Sequence, residues 1–174
     1  MSSDDYDYFE VLKRYRCLKK TELPDIPDSI LEDAVMSWMW KKALNDGGDR
    51  QYEVISSLPR PCQYVYSCRI VTDQVNNGGL NQFFFNCPRE FAEMLIEGFS
   101  ELGSPKLSHV MAKAVELYRQ NEHLLDAYND GTLESFFNSY QEKIFDELDN
   151  VFYEERQFID LHKYIRLNAD CFGD

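Results

Sequence analysis

Gln74-Val75-Asn76-Asn77-Gly78-Gly79-Leu80-Asn81-Gln82-Phe83-Phe84-Phe85-Asn86 is the most distinctive stretch of the chain. Carboxamides, a double glycine and three consecutive aromatics lie there between segments that read as amphipathic helix. The pattern predicts a tight helix-to-helix turn. Asn77 can take a left-handed cap conformation, Gly78 and Gly79 tolerate positive φ, and Asn81 or Gln82 can bond backbone groups freed at the turn. Phe83, Phe84 and Phe85 then begin burying the next short element. The rival reading is a polar pocket in which the Asn76 to Asn86 carboxamides bind or convert a small molecule. Asn-Gly and Gly-Gly pairs are above all turn punctuation, which favours the turn.

On the N-terminal side, Pro59 and Pro61 open a long helix whose stripe is Tyr64, Val65, Cys68, Val71, Thr72 and Val75. Before it, Tyr6 to Leu18 predicts a first helix with a basic cluster of Lys13, Arg14, Arg16, Lys19 and Lys20, broken by Pro24 to Pro27. Asp28 or Ser29 should cap a second helix built on Ile30, Leu31, Ala34, Val35, Trp38 and Met39; Gly47-Gly48 should end it, followed by a polar loop. Trp38 and Trp40 point in different directions, so one belongs to the core and the other nearer the surface.

On the C-terminal side, Pro88 should start a helix with Phe91, Met94, Leu95 and Phe99 inside and Glu90, Glu93, Glu97 and Glu101 outside, closed by Gly103. Pro105 begins a longer helix striped by Leu107, Val110, Met111, Ala114, Tyr118, Leu125 and Tyr128, ending at Gly131. After a short element from Leu133 to Tyr140, two helices are expected from about Gln141 and about Glu155. Nothing alternates as a strand would. The fold expected is all-α, a single compact domain over residues 1–174 with seven to nine helices.

The chain has 18 basic and 31 acidic residues, a net charge of −13. Such a field repels nucleic acid and anionic membrane and draws in basic partners. The excess is local. Residues 121–174 contain 13 acids against 4 bases, which predicts an acidic surface made of Glu122, Asp126, Asp130, Glu134, Glu142, Asp146, Glu147, Asp149, Glu154 and Glu155. On helices, Glu122 and Asp126, Glu142 and Asp146, and Asp146 and Asp149 would stack along a face about 5–6 Å apart, a repulsion the sequence leaves uncompensated by lysines. A row of unpaired carboxylates presents to a basic protein what a phosphate backbone presents. The plainer alternative is a solvated acidic face with no partner.

Five cysteines with no CxxC pair suit reduced thiols and a cytoplasmic protein. His109, His123 and His162 lie far apart, and His162 reads as a core histidine, so no metal site or cofactor is expected. No GxSxG elbow, Walker loop or GxGxxG cradle is present, so no catalytic residue is expected.

The run Asn76-Asn77-Gly78-Gly79-Leu80-Asn81-Gln82-Phe83-Phe84-Phe85-Asn86, followed by Phe91-Ala92-Glu93-Met94-Leu95-Ile96 and Leu102-Gly103, resembles the signature of a bacterial all-helical family whose best-understood proteins are acidic DNA mimics. Within that signature Asn76, Asn77, Gly78, Gly79, Gln82, Phe83 and Asn86 are read as structural. The resemblance implies a homodimer and a partner that is a helix-turn-helix transcription factor kept off its operator. An acidic antitoxin or immunity-type partner for a basic toxin shares the same charge logic.

Overall fold

A computed structural model describes residues 7–44, 50–86 and 89–174. The expected helix end at Gly47-Gly48, the expected start at Pro88, Tyr6 and Cys87 lie outside them. The described residues form nine α-helices joined by short 3-10 turns, with no strand. No helix among them is long and apolar enough to cross a membrane. The chain divides into two compact units, Met1–Tyr66 with Asp160–Asp174, and Ser67–Ile159.

In the first unit, α1 (Tyr8–Arg14) begins where the Asp7 carboxylate accepts the amides of Phe9 and Glu10. It tightens into a 3-10 turn at Tyr15–Cys17 instead of continuing to Leu18. Helix α2 (Asp28–Ala43) buries Leu31, Ala34, Val35, Trp38 and Met39 as its periodicity predicts, while Trp40 is only half-buried. Its start differs from expectation. Pro27 occupies the cap position without a side-chain bond, and Asp28 is turned to Arg166. The polar loop expected before Pro59 contains a short helix, α3 (Gln51–Ser56), held by the fully buried Ile55.

Helix α9 (Leu161–Leu167) buries Ile165 and leaves His162 half-exposed, so that histidine is not a core residue. Arg166 on α9 is the main polar tie of this unit. Its guanidinium donates to the Leu23 carbonyl at 2.6 Å, to the Ile26 carbonyl, and to the Asp28 carboxylate at 2.7 Å. One planar fork thus bonds both carbonyls of a proline-broken segment, of which the Leu23 carbonyl also accepts the Ile26 amide at 3.3 Å. Asp174 returns to the same region, its amide donating to the Leu18 carbonyl at 2.9 Å and its carboxylate accepting from Lys42 at 2.7 Å.

Helix α4 (Arg60–Asn86) carries the chain past Tyr66. In the second unit, α5 (Glu90–Glu101) and α6 (Pro105–Ala127) pack together. Ser104 caps α6 with Pro105 in its first turn, the Ser108 hydroxyl donates to the Ile96 carbonyl at 2.5 Å, and Arg119 pairs with Glu93 at 2.6 Å. Because α6 stops at Ala127, Tyr128 is its terminal cap and not part of the buried stripe.

Then follow α7 (Leu133–Ser139), a 3-10 turn at Tyr140–Glu142, α8 (Asp146–Glu155) and a 3-10 turn at Arg156–Phe158. The helix expected from Gln141 starts five residues later, because Lys143 takes a left-handed conformation (φ 53°, ψ 30°) that no helix can contain. The core here is aromatic. Phe84 stacks on Tyr118 at 4.6 Å and on Phe145 at 5.1 Å, and Phe99 meets Phe152 edge-on.

Arg166→Ala takes the guanidinium donor from the Ile26 carbonyl and the Asp28 carboxylate and leaves the Leu23 carbonyl with the Ile26 amide alone. It should lower unfolding free energy in urea by about 1–3 kcal/mol, and Arg166→Lys should restore little of it, since an ammonium cannot reproduce the fork.

Candidate interaction surface

The glycine pair breaks α4 in two. Gly78 is extended (φ −173°, ψ 33°) and Gly79 lies at φ 69°, ψ −176°, so Gly79, not Asn77, supplies the positive φ. Each glycine is also held by a close approach. A Cβ on Gly79 would overlap the Asp149 carboxylate, and one on Gly78 would meet the Gln82 side chain and lie 2.5 Å from the Tyr140 hydroxyl.

The backbone groups freed at the break are not bonded by Asn81 or Gln82, as the sequence suggested, but by three side chains from the segment that follows α6. The Asp149 carboxylate accepts the Leu80 amide at 2.8 Å, the Tyr140 hydroxyl donates to the Gly78 carbonyl at 2.9 Å, and the Tyr153 hydroxyl donates to the Val75 carbonyl at 2.5 Å. Leu80 opens the second half of α4, so Asp149 caps that half from across the fold and puts its charge at the positive helix end. Local sequence held no signal for this.

The carboxamides bond one another and the fold. Gln74 Oε1 accepts from Gln82 at 3.1 Å and from Asn86 at 3.0 Å, and buried Asn81 donates to the Ser139 hydroxyl at 2.8 Å. Phe83 is fully buried, while Asn76 and Asn77 are exposed.

The ten acidic residues separate into two sets. Five are engaged. Asp149 serves the break, Glu122 pairs with Arg89, Glu155 with Lys106 at 2.7 Å, Glu142 accepts the Tyr128 hydroxyl at 2.5 Å, and Asp130 accepts the Thr132 hydroxyl at 2.7 Å. Those Thr132 bonds lower the Asp130 pKa. The other five, Asp126, Glu134, Asp146, Glu147 and Glu154, are exposed, and among the described residues their carboxylates have no hydrogen-bond or ion-pair partner. Two expected stackings do not form as read. Glu142 and Asp146 are on different elements, separated by the left-handed Lys143, and Asp149 turns inward, half-buried, away from any surface row with Asp146.

Burial pushes the Asp149 pKa above its ordinary 3.8; the Leu80 amide opposes that rise and the like charge of Asp146 adds to it. A carboxyl raised on folding binds its proton more tightly in the folded chain. Its stabilising share is therefore complete below the ordinary value and is lost as pH rises through the raised one. Asp149→Asn keeps an acceptor for Leu80 without the charge. The stability of the wild type relative to this variant should fall as pH rises from below the ordinary carboxylate pKa through the raised one in urea unfolding, and a flat difference would refute the burial. Asp149→Ala, which orphans the buried Leu80 amide, should cost about 1–3 kcal/mol, and Gly79→Ala about 2 kcal/mol or more.

No curated protein and no solved structure matches this chain. Residues 56–168, more than half of it, match the DMP19-like protein family, a span that includes the glycine break and all ten acidic residues. With its all-α fold and its concentration of charge, the chain belongs to the DMP19-like family, a family of DNA mimic proteins.

Proposed function

We propose that the protein acts by occupancy and without catalysis: it sets carboxylates where a DNA-binding protein expects phosphates and keeps that protein off DNA. The supporting observation is the set of exposed carboxylates on Asp126, Glu134, Asp146, Glu147 and Glu154, without a partner among the described residues and all within the span that matches the family. Basic groups that bind duplex DNA find phosphates by charge and position, so carboxylates held at intervals on a folded surface compete for them.

The partner that fits is a basic helix-turn-helix transcription factor, and the outcome is a blocked operator. A homodimer would lengthen the track of charge beyond what one copy offers. The engaged carboxylates act differently, since Asp149, Glu122, Glu142 and Glu155 hold the scaffold that spaces the free ones.

Immobilised protein should retain a basic helix-turn-helix protein from cell extract at low salt and release it to duplex DNA as well as to raised salt. A retained protein that duplex DNA leaves in place would sink the competition. Combining Asp126→Asn, Asp146→Asn, Glu147→Gln and Glu154→Gln should weaken that binding about tenfold or more and flatten its salt dependence, with the helical circular dichroism spectrum retained. Undiminished binding would place the contact elsewhere.

A further inference from the structure

Helix α7 has an outer face unlike that of a solvated helix. Leu133 is 74% exposed and Phe137 64% exposed. Four residues apart, they lie side by side, and at 100° per residue Glu134 falls next to them. The inward side is fixed. Phe136 meets Phe85 edge-on at 5.2 Å and Tyr140 at 5.3 Å, Ser139 is buried, and Thr132 caps the helix. Asp130, which accepts from the Thr132 amide and hydroxyl, holds a second carboxylate at the N-terminal edge of the apolar pair.

Charge discriminates between occupants of this face. Helix α7 contains no base, so a second copy of the chain laid on it would set Glu134 and Asp130 against their own counterparts. A partner with an apolar pocket rimmed by lysine or arginine gains from both components. Resting on the reading of this region as a DNA mimic, we propose that Leu133 and Phe137 are the apolar anchor of the surface, entering such a pocket on the DNA-binding face of the captured protein. A sugar-phosphate backbone has no equivalent of these side chains. The carboxylates supply the resemblance to DNA, and the anchor supplies affinity that salt does not screen.

Two synthetic helical peptides of equal positive charge test this, one with leucines along one face and one with serines there, titrated against the full chain by fluorescence anisotropy over a range of salt. The leucine peptide should bind on the order of tenfold more tightly, and its advantage should persist at high salt. Leu133→Ser with Phe137→Ser, at sites exposed enough to leave the fold unchanged by circular dichroism, should remove that advantage and keep the salt slope. Equal binding of the two peptides overturns the anchor, as does an advantage that survives the double variant. A double variant that converts a dimer to a monomer in sedimentation also overturns it, because the face then belongs to a second copy. The four-carboxylate variant reads the underlying mimic function separately: it should flatten the salt slope for both peptides, and an unchanged slope defeats that function whatever the leucine peptide does.

Discussion

The second unit turns on one hydrogen bond, the Leu80 amide given to the Asp149 carboxylate. A helix broken in its middle exposes donors and acceptors that water would otherwise satisfy, and here they lie against buried side chains. Asp149 answers the amide, while Tyr140 and Tyr153 answer the carbonyls of Gly78 and Val75. The carboxylate sits so close to the chain that only glycine fits at position 79. Residues far apart in sequence are thus mutually required: the glycines permit the approach, and the approach explains the glycines.

That arrangement changes what the acidity of the last third means. A carboxylate paired with an arginine or lysine has little field left for a partner, and one turned inward is out of a partner's reach. Glu122 and Glu155, paired with Arg89 and Lys106, are of the first kind, and Asp149, bonded to the Leu80 amide, is of the second. Asp146 and Glu147 gain something from the first turn of α8, yet their oxygens remain open to solvent. A formal charge of −13 therefore overstates the ligand-like surface, since carboxylates paired with cations or turned inward lack the reach that phosphates have.

The helices were largely legible because the apolar residues recur at helical spacing and prolines and glycines mark the ends. The turn at Gly78-Gly79 was legible for the same reason, and the burial of Phe83 and Phe84 followed from the aromatic run. What was not legible has physical causes. The α3 helix rests on one buried isoleucine, too little for a periodic pattern. The cap of α2 departs from its local pattern because Asp28 is claimed by Arg166, distant in sequence, and the start of α8 does so because Lys143 adopts a left-handed conformation with no compositional mark. At the candidate surface, the number of acids was readable. Which were spent internally was not, since Arg89, Lys106, Tyr128 and Leu80 meet them only through the fold.

The break in α4 also bears on the order in which the chain acquires structure. The contacts that hold it span 62 residues from Gly78 to Tyr140, 69 from Leu80 to Asp149 and 78 from Val75 to Tyr153. Closing loops of that length is entropically slow, whereas a helical turn forms locally and early. The longer first half of α4 can therefore coil before anything fixes the bend that follows it, whereas the second, Leu80 to Asn86, is too short to persist without its packing. The bend is held by Tyr140, Asp149 and Tyr153, so the most recognisable sequence in the chain depends for its shape on residues more than sixty positions away.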